Sequence, residues 1–264
     1  MSHKLPAHAR VVVIGGGVVG ASIAYHLAKL GWSDTVLLER KRLTSGTTWH
    51  AAGLVGQLRA TANLTKLAQY TTQLYAALEA ETGQATGFLQ RGSISVATNA
   101  ERLEELMRGA SMAKTFGLEV NAVSPADIKR MWPLLNVADV VGGVHLPGDG
   151  QTNPVDTTMA LVKGATMRGA KVFENVAVDS ILTKNGRAVG VSTAEGDILA
   201  EHVVIATGMW SRHLGATAGV DIPLQACEHF YIVTEPLPGL APDLPVLRDP
   251  DNCAYTKRTP ASCC

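Results

Sequence analysis

The stretch from Val11 through Gly20 limits the fold more than any other part of the chain. A short β-branched run, Val11 to Ile14, enters three successive glycines, Gly15 to Gly17. From Val18 to Leu30 the residues Ala21, Ala24, Leu27 and Ala28 then recur at helical spacing. Gly31 closes that helix as a C-cap, and Thr35 to Leu38 forms a second apolar run ending at Glu39. The pattern predicts a β-α-β unit and with it an α/β fold, because parallel strands need a crossover between them.

Gly15, Gly17 and Gly20 spell G-x-G-x-x-G. In a chain with 26 glycines, three fixed glycines arise by accident in about one such sequence in four, so position decides what they mean. Here they join a strand to a helix, where backbone can approach a pyrophosphate and the helix N-terminus offers N–H groups at the positive end of its dipole. Glu39 ends the second strand, where a carboxylate accepts from both ribose hydroxyls and repels a 2′-phosphate. Val203 to Gly208 is a further apolar strand ending in small residues, suited to the close passage of a cofactor.

Helices are predicted from about Lys66 to Glu81 and around Leu103 to Lys114, with a strand at Ile94 to Ala97 between them. Ser124-Pro125 and Asn153-Pro154 each read as helix starts. Strands follow at Lys171 to Phe173, Val176 to Leu182, Ala188 to Thr193 and Ile198, with turns at Asn185-Gly186 and Glu195-Gly196, before Val203 to Ala206. After the apolar run Phe230 to Val233, the proline-rich stretch from Pro236 to Pro250 is predicted to be loop.

Composition excludes several classes of function. With 23 basic and 23 acidic residues and no basic run, the chain has no electrostatic footprint for nucleic acid. No stretch holds the roughly 18 apolar residues of a membrane span, and the N-terminus lacks a signal or transit pattern. Cys227, Cys253, Cys263 and Cys264 show no C-x-x-C spacing, so no metal site is expected and a reducing, cytoplasmic, bacterial setting is.

The run Ser45-Gly46-Thr47-Thr48-Trp49-His50-Ala51-Ala52-Gly53-Leu54-Val55-Gly56-Gln57 resembles the flavin segment of the sarcosine and dimethylglycine dehydrogenases, within the D-amino-acid-oxidase-like flavoproteins. The resemblance continues through Glu81-Thr82-Gly83, Gly92-Ser93-Ile94, Trp132 to Val137, Pro147 to Gly150, His229 to Thr234 and Leu244 to Asp249. It implies a Rossmann-like FAD-binding domain (1–70 and 150–220) interleaved with an α+β substrate domain (71–149 and 221–255). It also implies FAD held by Gly15, Gly17, Val19, Gly20, Glu39, Arg40, Thr47, Thr48, Gly53, Leu54, Val178, Ala206, Gly208 and Trp210.

In that family the histidine of the Trp-His-Ala-Ala-Gly run, here His50, is joined covalently to the 8α carbon of the flavin. Imidazole is a good neutral nucleophile near neutral pH, and the bond both anchors the flavin and makes it more oxidising. The resemblance further implies a small amine substrate, a methylated glycine such as sarcosine or dimethylglycine, and a separate electron acceptor. His229 corresponds to the histidine beside the substrate and Tyr255 to the first tyrosine of the family's Tyr-Tyr-basic-Glu segment. An alkylamine has a pKa of about 10, so a base such as His229 is needed to free its lone pair, with Tyr255 orienting the carboxylate or the histidine.

Relatives of this kind run several hundred residues further, through the rest of the flavoprotein half and a folate-binding domain. The expectation is therefore an N-terminal, C-terminally truncated part, with tetrahydrofolate served only by the missing domain. Residues 256–264 break the resemblance. One codon choice for them, read two bases out of frame, spells Lys-Glu-Asp-Ala-Gly-Lys-Leu-Leu, a continuation of the family's kind, so a frameshift is the expected origin of the tail. Other readings within the same sequence are an amino-acid or glycine oxidase with noncovalent FAD, and a flavin-binding fragment without activity.

Overall fold

The computed structural model describes residues 4–258, so most of the tail expected to be aberrant, residues 259–264, lies outside the described residues. In chain order the elements begin with β1 (His8–Ile14), α1 (Val18–Lys29), β2 (Thr35–Glu39), β3 (Leu54–Val55), α2 (Ala62–Thr82), β4 (Ser93–Ala97) and α3 (Ala100–Thr115). They continue with β5 (Asn121–Val123), α4 (Pro125–Met131), β6 (Gly142–Leu146), β7 (Gly150–Gln151), α5 (Pro154–Thr166) and β8 (Lys171–Glu174). The last are β9 (Val178–Lys184), β10 (Arg187–Thr193), β11 (Ile198–Ile205), α6 (Ser211–Thr217), β12 (Val246–Asp249) and β13 (Ala254–Thr256).

The chain forms two compact units. The first takes the residues through Ala52, then Ala77–Gly87 and Asn153–His229; the second takes Gly53–Ala76, Phe88–Thr152 and the residues from Phe230 onward.

The first unit is built on a six-stranded sheet in the order β8-β2-β1-β11-β10-β9. The four strands β8, β2, β1 and β11 run parallel, while β10 and β9 are antiparallel additions at one side. This is the expected α/β arrangement. Val12, Ile14, Val36 and Leu38 point to one face and pack with Ile181, Val191, Ile198 and Leu214. Val11, Val13 and Leu37 alternate to the other face and are equally buried.

The crossover helices α1 and α5 pack against each other and contact this sheet. α1 ends in a Schellman motif: Gly31 takes φ +87°, its N–H donates to the Ala28 carbonyl, and Trp32 N–H donates to the Leu27 carbonyl. α5 starts where Asn153 accepts from the N–H groups of Val155 and Asp156, with Pro154 in the first turn.

Tyr25 fixes how the two helices meet. Its ring is fully buried, and a Cβ on Gly164 of α5 would lie 2.8 Å from ring carbons Cδ2 and Cε2, so only glycine allows this approach. The hydroxyl donates to the Glu81 carboxylate, 2.8 and 2.9 Å from its two oxygens. Arg168 Nη2 sits 2.8 Å from the same carboxylate. Burial first, then the bond to Glu81, pushes the Tyr25 hydroxyl pKa up.

The second unit holds a five-stranded sheet, β13-β12-β4-β6-β5, in which only β12 and β4 pair in parallel. Ile94, Val96, Ile128, Trp132 and Leu247 form one core, and Ala113, Leu118, Val120, Val144 and Leu146 form another. Ser124 and Asp127 make a reciprocal capping box at the start of α4. Trp132 Nε1 donates to the Pro245 carbonyl at 2.7 Å inside the core, tying the proline-rich segment down. β3 and β7 make a separate two-stranded ladder.

Three expectations change. α2 begins at Ala62 rather than near Lys66, because Thr61 supplies an N-cap oxygen 3.3 Å from the Leu64 N–H. Ile198 and Val203 belong to one strand, β11, which pairs with β10 on one side and β1 on the other. Val246 to Asp249, inside the stretch predicted to be loop, is a strand because β4 offers it a parallel partner. The apolar run Phe230 to Val233, to which the sequence assigned no element, is exposed and without regular structure.

Gly164→Val is expected to lower stability by about 1–3 kcal/mol through overpacking against Tyr25. Urea unfolding of the two proteins measures it; equal midpoints would show that the helices tolerate a side chain at their contact.

Candidate dinucleotide site

Gly15 leaves the end of β1 with φ +110°, a conformation open to glycine and costly for other residues. A Cβ there would lie 2.4 Å from the Ala206 carbonyl oxygen, and a Cβ on Gly20 only 1.9 Å from the Gly15 oxygen. Backbone therefore touches backbone where β1, β11 and α1 converge. Hydrogen bonds fix the turn: Gly15 N–H donates to the Leu38 carbonyl at 2.8 Å, and Ala206 N–H to the Ile14 carbonyl at 2.8 Å.

The N-cap of α1 is Gly17, which offers no side-chain oxygen, and the first helical turn has no acidic residue. The Val18 N–H donates to Thr48 Oγ1 at 3.0 Å. A Cβ on Gly17 would sit 2.9 Å from that same oxygen, so Gly17 makes room for Thr48. Val19, the second residue of the helix, is 60% exposed. A first helical turn without acidic residues, with glycine at every point of close approach, suits a pyrophosphate.

Glu39 faces this turn. Its Oε2 accepts from Gly16 N–H at 2.7 Å and its Oε1 from Lys41 N–H at 2.9 Å. Each carboxylate oxygen keeps a further lone pair for a hydroxyl donor, so the residue fits a ribose. These observations fit the residues to a dinucleotide such as FAD.

The segment after β2 folds back over the glycine turn. Thr44, buried and at φ +68°, donates its N–H to the Gly16 carbonyl at 3.0 Å. Leu43 N–H is held by Glu174 Oε1 at 2.6 Å. The Arg40 guanidinium lies 4.2 Å from the centroid of the Trp210 ring, and Gly46 faces that ring, with room for a Cβ only 3.3 Å from Cζ3.

Thr48 to His50 form a single 3-10 turn, opened by Thr47, whose carbonyl accepts from His50 N–H at 3.2 Å. The Trp49 and His50 rings stack with centroids 3.6 Å apart, and both are exposed. Gly208, at φ +55°, starts the 3-10 turn that carries Trp210.

Gly15, Gly17, Gly20, Glu39 and Ala206 thus meet at one end of the parallel strands, with Thr48 at the helix start. Arg40 and Trp210 meet each other beside them. Val178 opens β9 and packs into the sheet core. Gly53 and Leu54 belong to the second unit, where Leu54 pairs with Gln151. His229 is exposed on a segment without regular structure, and Tyr255 lies on the edge strand β13 opposite Arg248.

Leu43, Thr44 and Glu174 were missed. The left-handed Thr44 has no sequence signal, and Glu174 reaches Leu43 across 131 residues.

Residues 10–261 match the FAD dependent oxidoreductase family. The chain belongs to that family. The match runs past Tyr255, where the resemblance read from the sequence ends. A 4-methylaminobutanoate oxidase (formaldehyde-forming) of Paenarthrobacter nicotinovorans is 44% identical over 96% of the chain and 31% of its own length. The mitochondrial sarcosine dehydrogenase of Mus musculus is 44% identical over 97% of the chain and 28% of its own length. The chain spans less than a third of these curated relatives.

Among solved structures, the L-proline dehydrogenase from P. horikoshii superposes with TM-score 0.77 at 30% identity, over 82% of this chain and 57% of that one. The family's cofactor is FAD, and the three proteins just described are named as an amine or amino-acid oxidase or dehydrogenase. Among the described residues no helix is long and apolar enough to cross a membrane.

Gly20→Ala is expected to force the glycine turn open and to abolish FAD retention, read from the ratio of flavin to protein absorbance. Gly31→Ala, which meets nothing within 4 Å but keeps φ +87°, is expected to cost about 1–2 kcal/mol of stability and to leave that ratio unchanged.

Proposed function

We propose that this chain is the FAD-binding part of an N-demethylating amine dehydrogenase acting on a methylated glycine, sarcosine or dimethylglycine. The observation that carries the reading is the cradle of Gly15, Gly20, Glu39 and Thr48, followed directly by the exposed His50. Both curated relatives described above are named for N-methylated amino acids or their oxidation, which supports the substrate class.

FAD supplies a two-electron acceptor for the hydride that leaves the substrate's N-methyl carbon. The chain's own residues do the rest. In this reading α1 holds the pyrophosphate with its N-terminal amides, with Gly17, Val19 and Gly20 leaving it access. Glu39 accepts from the ribose hydroxyls, and Arg40, Thr47, Gly53, Leu54, Val178, Ala206, Gly208 and Trp210 line the remainder. His50 is the point of covalent attachment through an imidazole nitrogen. His229 takes the ammonium proton of the substrate, and Tyr255 orients the carboxylate or the histidine.

Electrons pass on to a separate acceptor, and tetrahydrofolate is served by a domain outside this sequence. Cys227 and Cys253 are free and exposed, which suits the reducing cytoplasm in which we place the chain.

Acid precipitation of the purified protein tests the attachment: yellow colour is expected to stay with the pellet, and His50→Ala is expected to release it to the supernatant. Colour in the supernatant of the unaltered protein contradicts the role of His50. Reduction of a dye acceptor by sarcosine or dimethylglycine is expected as well, and its absence in flavin-loaded protein contradicts the proposed reaction.

A further inference from the structure

A groove of about 440 Å³ opens in the second unit. That volume is in the range of small-ligand sites. α2 contributes Gln69, Thr72, Gln73 and Ala76, spaced i, i+3, i+4 and i+7 on one helical face. Thr72 is buried while Gln73 and Ala76 are exposed, so this face of α2 borders solvent and leaves the groove open on that side.

Gln57, Gln90, Glu119 and Asp149 complete the polar lining. Leu118 and Leu146, both buried, give it an apolar portion. Among the described residues no lysine or arginine lines it.

The hydrogen bonds bias the groove toward accepting. Gln69 Nε2 donates to the Phe116 carbonyl at 3.2 Å, and Gln90 Nε2 donates to the Gly148 carbonyl at 2.7 Å. Each amide thus spends an N–H on backbone and keeps its carbonyl oxygen for another donor. The Gln57 amide lies over Gly148, where a Cβ would come 2.4 Å from Nε2, so the glycine makes space for it.

Asp149 is 5% exposed. Its Oδ1 accepts from Gln57 N–H at 2.8 Å and its Oδ2 from Ser93 Oγ at 2.7 Å. Burial pushes the Asp149 carboxyl up, against the Ser93 and Gln57 bonds and the weaker fields of Arg59 and Arg248 that pull it down. A buried carboxylate whose ionised form is incompletely compensated gains from a cation brought close to it.

We propose that this groove binds a short-chain alkylammonium ion, with its charge held by Glu119, Asp149 and the glutamine carbonyls and its alkyl body against Leu118 and Leu146. The ammonium supplies three donors to a lining rich in acceptors, and its positive charge meets two carboxylates with no competing cation on the wall. An anion of the same size would meet two carboxylates and no cation on the lining. None of the residues lining the groove is assigned to FAD, so its test does not depend on flavin loading.

The melting temperature of the full chain, followed against butylammonium chloride with sodium butyrate and sodium chloride at equal ionic strength, is the experiment. A saturable rise with butylammonium alone is expected. In the double variant Gln73→Leu, Glu119→Gln, two exposed positions, the half-saturating concentration is expected to rise about tenfold. Glu119→Lys, a single exposed change, is expected to abolish the response. An equal rise with butyrate or sodium chloride overturns the proposal, as does unaltered half-saturation in either variant, which would assign the binding elsewhere.

Discussion

The first unit depends on one contact of backbone with backbone, α1 laid against the end of β1 with Gly20 over the carbonyl of Gly15. A methyl group at Gly20 would stand 1.9 Å from that oxygen, and one at Gly15 would stand 2.4 Å from the carbonyl of Ala206. A side chain at Gly20 would push the helix off the end of β1, and one at Gly15 would push away the backbone that follows β11. Closeness here aligns the ends of β1, β2 and β11, and that alignment brings Glu39 and Ala206 to the same turn. The same contact leaves the start of α1 at that turn with no acidic residue in its first helical turn, which favours an anionic ligand.

The buried polar groups sustain this geometry from a distance. Tyr25, one turn beyond the glycine turn on α1, is clamped by Glu81 and Arg168, so the dinucleotide helix, the end of α2 and the residues after α5 share one hydrogen-bonded junction. In the second unit Asp149 has the comparable place, joining the segment after β3 to β4 and to the β6–β7 turn through Gln57 and Ser93. The two junctions differ in completeness. Glu81 meets a guanidinium and a phenol, while Asp149 meets only neutral donors directly, and the groove beside it is lined with further acceptors.

Much of the first unit was legible because its signals are local. β1, α1, β2 and the Gly31 cap follow from apolar period and glycine position within about thirty residues, and Asn153-Pro154 announced α5 by its cap. The second unit was less legible because its strands depend on distant partners: Val246 becomes a strand through Ser93, and the Pro245 carbonyl is held by Trp132. Of the candidate site, the glycine turn and Glu39 were readable from spacing. Thr44, Glu174 and the stacking of Arg40 on Trp210 were not, since each is set by tertiary approach that no local pattern encodes.

The central claim is that the Gly15–Gly20 turn with Glu39 holds a flavin by its dinucleotide half. Fluorescence titration of the flavin-free His50→Ala variant, in which no covalent bond to the flavin can form, with FAD and with FMN, which lacks the adenosine monophosphate half, tests it most directly. The account predicts saturable binding of FAD and at least about hundredfold weaker binding of FMN, the loss of two or more charge-assisted hydrogen bonds. Equal affinity for the two would contradict it, because the turn and Glu39 would then contribute nothing to holding the cofactor.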